Sequence, residues 1–201
     1  MDLFFLRHAN AGDPDPRQNF DEHRSLDSAG LEQCSLAAYA LESLGAELDC
    51  IYTSPLRRAW QTAEIVAAHL GLNESIQRAD SLRPEGTYQA FLQLLEECSD
   101  HESVLFVGHN SNLREYIGRL LGSGSPAGVH LKKGGLAKLR YDDRRTVLQW
   151  CVTPKLLRTV SPTAAYRPVP ELREHRNGTR PTSATARPGP TRKKVRARGK
   201  A

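Results

Sequence analysis

Short apolar runs alternate with helical apolar periods along the first 150 residues. Leu3–Leu6, Cys50–Thr53 and Val104–Val107 are mainly apolar runs of four residues, a length typical of buried strands. Elsewhere apolar residues recur every three or four positions, which predicts four helices. The first lies between an N-cap at 25–28 and Gly45, and the others cover about 55–70, 87–97 and 110–121. Pro55 suits the first turn of the second helix.

Two further strands are predicted late in the chain, near 135–141 and 146–152, on either side of the turn-like segment Asp142–Arg145. Strands that alternate with helices predict an α/β fold, a three-layer αβα sandwich with a mostly parallel sheet. The late pair, joined by a short loop, would form its antiparallel edge. In such sheets ligands bind outside the carboxyl ends of the strands.

The chain has 201 residues, and its composition changes near residue 161, where Pro, Arg, Thr, Ser and Gly replace large apolar residues. We therefore predict a folded domain over 1–160 and a disordered, basic Pro/Arg-rich tail over 161–201. Residues 155–201 carry 13 Lys and Arg against 2 Glu, whereas residues 1–154 carry 15 against 21 Asp and Glu. A basic tail can contact a polyanion by counterion release, although a solubilising role is the simpler interpretation.

Composition also argues against several classes of protein. No apolar run approaches the ~20 residues that span a bilayer, and the N-terminus does not resemble a secretory signal, so we expect a cytoplasmic protein with no membrane partner. The four cysteines are widely spaced, and the seven histidines form no metal-binding motif. Neither a metal site nor another cofactor is predicted.

Three predicted strands end in residues suited to phosphate chemistry. The first ends in Arg7–His8, the second leads into Thr53–Ala59, and the third ends in Gly108–His109. A neutral imidazole can attack phosphorus, while guanidinium groups bind phosphate oxygens and stabilise transition-state charge. A second, protonated imidazole and a helix N-terminus would add donors. The combination favours phosphoryl transfer through a covalent phosphohistidine.

These segments also carry a family resemblance. Leu6–His8, Thr53–Ala63 and Val107–His109 are similar to the LRHG, TSxLxRAxQTA and GH motifs of the histidine phosphatase superfamily, also called the phosphoglycerate mutase-like family. The similarity spans about residues 1–156 and implies the fold of that family. The segment 24–30 and the closing 150–154 resemble the SixA branch, which contains phosphohistidine phosphatases that act on phosphorelay domains.

The resemblance assigns roles to individual residues. It implies four catalytic residues. In this assignment His8 is the nucleophile, Arg7 and Arg58 are phosphate ligands, and His109 is the second histidine of the pocket. Arg24, Asn10 and Glu85 are the candidates for substrate binding. Arg24 could equally be a surface residue, and Glu85 is either the proton donor for a leaving group or a simple loop acid.

Two positions qualify the resemblance. Ala9 stands where the family has glycine, a change that costs little unless the backbone there needs a positive φ. Lys133 lies before a late strand and could touch substrate, but a solvated strand end is the simpler interpretation.

The leading hypothesis is a phosphatase that works through a phosphohistidine intermediate and has a protein phosphohistidine, on a histidine phosphotransfer domain, as substrate. No long insertion follows the Arg58 helix to cover a small molecule. Two alternatives remain: a phosphatase of a small phosphorylated metabolite (a phosphosugar, phosphoglycerate or nucleotide), and a non-catalytic phosphate-binding module.

Overall fold

The computed structural model describes residues 1–12, 21–122, 128–142 and 145–161. It contains six strands within these ranges: β1 Asp2–Arg7, β2 Cys50–Thr53, β3 Ile76–Arg78, β4 Ser103–Gly108, β5 Leu136–Arg140 and β6 Val147–Val152. It also contains five α-helices: α1 Ser28–Ser43, α2 Arg57–Leu70, α3 Tyr88–Glu97, α4 Asn110–Leu120 and α5 Pro154–Val160. The predicted tail, from residue 162 onward, and its contact with a polyanion lie outside the described residues, as does the centre of the predicted 142–145 turn.

The strands form one sheet in the order β3-β2-β4-β1-β5-β6. The first four strands in this order run parallel, and β5 and β6 are antiparallel to their neighbours. The sequence-based prediction of a mostly parallel sheet with an antiparallel edge is therefore confirmed. In this order β1 and β4 lie at the centre.

Alternate residues of the central strands pack against helices on opposite faces, as the period of two in a strand requires. Leu3 and Phe5 belong to a core with side chains of α3 and α4, whereas Phe4 and Leu6 pack with α1 and α2. All four are at most 2% exposed. A strand that is covered on both faces is a rigid support for the residues that follow it.

The register of the central strands determines where the site forms. Arg7 of β1 pairs with Gly108 of β4, and Thr53 of β2 pairs with Val107. The N–H of His8 donates to the Gly108 carbonyl at 2.9 Å, so the residues that follow these strands lie at one edge.

Three parts of the fold differ from the sequence-based expectation. Helix α2 begins at Arg57 with Leu56 as N-cap, so Pro55 precedes the helix instead of occupying its first turn. Strand β3 was not predicted, because it has only three residues and two are exposed. Helix α5 was also missed, although the Thr153 side chain caps it and Pro154 opens it.

No helix in the described residues is long and apolar enough to cross a membrane.

Candidate active site

His8 lies directly after β1 and is 5% exposed. Its Nδ1 is 2.8 Å from the Ala9 carbonyl oxygen, which can only accept, so Nδ1 carries the proton and the lone pair is on Nε2. Burial lowers the pKa of His8 to about 3, and the charges of Arg58, Arg7 and Lys133 act in the same direction. The ring is therefore a neutral imidazole with a free Nε2 at pH 7, as a nucleophile requires.

His109 is the N-cap residue of α4 and is 4% exposed. Its Nδ1 lies 3.4 Å from Nη2 of Arg58, which can only donate, so Nε2 carries the proton and donates to the Ser54 hydroxyl at 3.0 Å. The His8 and His109 ring centroids are 5.0 Å apart. Burial lowers the pKa of His109 to about 2, helped by His8 and the nearby arginines. With this pKa the second imidazole is neutral at pH 7, which corrects the sequence-based expectation of a protonated ring.

Three arginines surround the imidazoles. Arg58 is 3% exposed, in the first turn of α2, and Arg7 is half-buried, with Nη1 donating to the Leu131 carbonyl at 2.9 Å. Burial lowers the pKa of Arg7, but a guanidinium stays charged at neutral pH. Arg24 donates to the Gly12 carbonyl at 3.1 Å, and its charge contributes to lowering the pKa of His109. The structure thus brings Arg24 to the site along with the other two.

Asn10 connects the loop after His8 to two other parts of the fold. Its Nδ2 donates to the Asp27 carboxylate at 2.6 Å, and its Oδ1 accepts from Nζ of Lys133 at 2.8 Å. Its backbone N–H donates to the Gln33 side chain at 2.9 Å. Asp27 is itself the N-cap of α1. Every polar atom of the Asn10 side chain thus has a protein partner, so the side chain fixes the loop that follows the nucleophile.

Two glycines permit close backbone approach beside this loop. Gly134 has a φ of +70°, which favours glycine, and its N–H donates to the Arg7 carbonyl at 3.0 Å. A Cβ on Gly30 of α1 would lie 2.0 Å from the Asn10 carbonyl oxygen. A side chain at position 30 would therefore push against the loop that follows His8, whereas one at position 134 would meet the Gln33 side chain, with Gln33 Cβ at 2.8 Å.

Ala9 fits without strain. It is fully buried, its N–H donates to the Thr62 hydroxyl at 3.1 Å, and no non-glycine residue in the described ranges has a positive φ. The methyl group that replaces the family's glycine hydrogen is therefore accommodated by an ordinary backbone conformation.

Glu85 is placed differently from the other candidates. Its side chain is 69% exposed, and its contact within the described residues is a 3.7 Å ion pair with Arg83. Arg83 also binds Glu22 at 2.8 Å and Asp80 at 2.9 Å. The loop is attached to α4, because Nδ2 of Asn112 donates to the Arg83 carbonyl at 2.6 Å. Within the described residues, Glu85 makes its ion pair with Arg83 and not with the histidines or arginines of the site.

Sequence reasoning assigned no role to several residues that hold the site together. Ser54 and Thr62 lie inside the second motif, and their hydroxyls position His109 and the backbone of Ala9. Lys133 was considered above for contact with substrate, but its contact with Asn10 comes from a distant loop and has no local signal in the sequence. Within the described residues, no group of three or more His, Cys, Asp or Glu side chains is arranged to hold a metal ion.

Comparisons with known proteins identify the family of the chain. The sequence model of the histidine phosphatase superfamily (branch 1) matches residues 3–84. An uncharacterized protein from Picosynechococcus sp. is 37% identical over 144 residues, which are 70% of this chain and 85% of the relative. The chain therefore belongs to the histidine phosphatase superfamily, whose members are phosphatases.

Solved structures place the chain among the SixA-like members. The tungstate complex of the protein histidine phosphatase SixA has 26% identity and a TM-score of 0.68, covering 78% of this chain and 99% of its own. A SixA structure from Agrobacterium tumefaciens has 25% identity and a TM-score of 0.65, covering 76% and 97%. A mycobacterial glucosyl-3-phosphoglycerate phosphatase, at 18% identity and a TM-score of 0.62 over 77% and 98%, shares the fold alone.

Proposed function

We propose that this protein hydrolyses a phosphohistidine on another protein, with His8 as the group that carries the phosphoryl between the two half-reactions. The observation that carries the proposal is the unprotonated Nε2 of a neutral, buried His8 close to Arg7 and Arg58. An imidazole with one nitrogen held by the Ala9 carbonyl presents the other as nucleophile without prior loss of a proton.

In the first half-reaction, the Nε2 lone pair of His8 forms a bond to phosphorus. The bond from phosphorus to the substrate imidazole breaks, and its electron pair leaves with that ring, which keeps a proton on its other nitrogen and departs neutral. In the second, a water oxygen bonds to phosphorus, the bond to His8 breaks, and the proton of the water passes to the released phosphate. The guanidinium groups stabilise the equatorial oxygens in both steps.

The protonation states favour an imidazole leaving group over an alkoxide. An alkoxide must receive a proton as it leaves, yet both histidines of the site are neutral because burial lowers each pKa. Glu85 is exposed and pairs with Arg83. A protonated phosphohistidine carries its own proton on the leaving ring, so a site without a buried acid suits it.

Trapping the intermediate tests the proposal. The protein is mixed with a ³²P-phosphohistidine peptide, quenched in alkali, and examined for acid-labile label. We expect label on the wild type and on His69→Asn, a histidine that pairs with Glu42 on the surface of α2, and none on His8→Asn. A non-catalytic phosphate-binding module would give no covalent label on any of the three.

Steady-state rates then rank the substrates. We expect kcat/KM for the phosphohistidine peptide to exceed that for a panel of phosphosugars, phosphoglycerates and nucleotides by at least about 100-fold, because only the former needs no acid. A phosphoester that equals the peptide would assign the protein to small phosphorylated metabolites instead.

A further inference from the structure

A basic groove opens beside Arg7, on the side of β5 and α5. Its volume is about 530 Å³. Its lining includes five Lys and Arg residues, namely Arg7, Lys132, Lys133, Lys155 and Arg158, and no Asp or Glu among the described residues. Residues 1–154 as a whole carry more acidic than basic residues, so the positive charge of the groove is a local feature of the surface.

Within the described residues, most of these positive charges are not paired with a carboxylate of the protein. Lys132 and Lys155 are exposed, and no ion pair is found for either within the described part of the chain. Arg158 is the exception, since Nε and Nη2 bind the Glu32 carboxylate at 2.7 and 3.0 Å. Lys133 donates to the neutral amide of Asn10. The groove therefore holds a net positive charge on long side chains that a binding partner can reach.

The groove is continuous with the catalytic site. It is lined by Arg7, which directly precedes His8 in the sequence, and by Asn10, which follows it by two residues. Lys133 is close enough to His8 for its charge to help lower the pKa of that ring. A molecule whose phosphoryl group lies against His8 would thus extend into the groove on this side.

We propose that the groove binds the acidic side chains that flank the phosphorylated histidine on a partner protein, an inference that rests on the proposed function. The cations come from three elements, namely the end of β1, the loop before β5 and helix α5, and the exposed Lys132 and Lys155 belong to the last two. Charges spread in this way suit several carboxylates at different positions better than one compact phosphate. The residues that follow α5 in the sequence add 11 Lys and Arg against 2 Glu, so their charge does not complement the groove.

Two phosphohistidine peptides of equal length test the groove directly, one with Asp and Glu around the histidine and one with Asn and Gln. We expect the wild type to favour the acidic peptide at least about tenfold in kcat/KM at low ionic strength. The preference falls at least fivefold in Lys132→Glu and in Lys155→Glu, and also falls in high salt, since exposed charges are screened. Arg145→Glu is the matched control, because this exposed cation lies before β6, roughly 25 Å along the strand from the groove.

Equal kcat/KM on the two peptides, or an acidic preference that survives in Lys132→Glu and Lys155→Glu, would overturn the inference. So would competition by a single-stranded oligonucleotide at lower concentrations than the unphosphorylated acidic peptide, which would make the groove a nucleic-acid site. Failure of the proposed function gives a different result, since neither phosphohistidine peptide would then be hydrolysed while a phosphoester is.

Discussion

The two active-site histidines make a large part of the stability of the protein dependent on pH. Burial and nearby positive charge lower the pKa of His8 to about 3 and that of His109 to about 2, whereas an unfolded chain has histidine pKa values near 6.5. Below pH 6.5 the unfolded state therefore binds protons that the folded state does not bind. Their contribution to stability is fully present above pH 6.5 and is lost as the pH falls toward the lowered values.

The magnitude follows from proton linkage. Each histidine that is protonated only in the unfolded state lowers the free energy of unfolding by about 1.4 kcal/mol per pH unit. For His8 and His109 together, the loss between pH 7 and pH 5 is about 4 kcal/mol. Typical domains have a free energy of unfolding of about 5–15 kcal/mol, so a loss of this size is easily measured.

Urea unfolding of the wild type and of the double variant His8→Gln, His109→Gln, measured at pH 7, 6 and 5 in buffers without phosphate or sulfate, tests this contribution. We expect the wild type to lose about 4 kcal/mol more than the double variant over this range, since all other titrating groups are shared. His101→Gln, in the segment just before β4, is the control and should follow the wild type. Parallel pH dependence in the wild type and the double variant would show that the two histidines do not titrate at lowered pKa values in the folded state.

Three single substitutions give further tests. Ala9→Gly should leave kcat/KM within about twofold and lower the free energy of unfolding by about 0.5–1 kcal/mol, because the position needs no glycine. Gly30→Ala should cost about 1–3 kcal/mol in urea unfolding and lower kcat at least tenfold, since its Cβ would displace Asn10; unchanged rates would contradict the role of that loop. Glu85→Gln should leave the initial rate on a phosphohistidine peptide within about twofold, and a large loss would make Glu85 the proton donor.

Much of the fold could be predicted from the sequence, because buried strands and amphipathic helices have strong local signals. Val104–Val107 is apolar throughout because β4 lies at the centre of the sheet and is covered on both faces. Strand β3 gave no such signal, since Gln77 and Arg78 are exposed at the sheet edge. Its pairing with β2 depends on tertiary context, which a short sequence window does not contain.

Some features of the candidate site could likewise be predicted from the sequence, and others could not. The sequence could place His8, Arg58 and His109 close together, because motif and topology agree on them. The contact of Lys133 with Asn10 could not be predicted, since it joins residues 123 positions apart in the sequence. The neutral state of His109 also follows from burial among cations, which the local sequence does not reveal.

The pairing of β1 with β4 has a consequence for how the protein fails under stress. His8 and His109 follow adjacent central strands, and the His8 amide is itself hydrogen-bonded to the Gly108 carbonyl. Separating the two rings therefore requires the middle of the sheet to come apart, an opening as costly as complete unfolding. Thermal inactivation and loss of tertiary structure should accordingly be one cooperative event, with no inactive but folded form accumulating first.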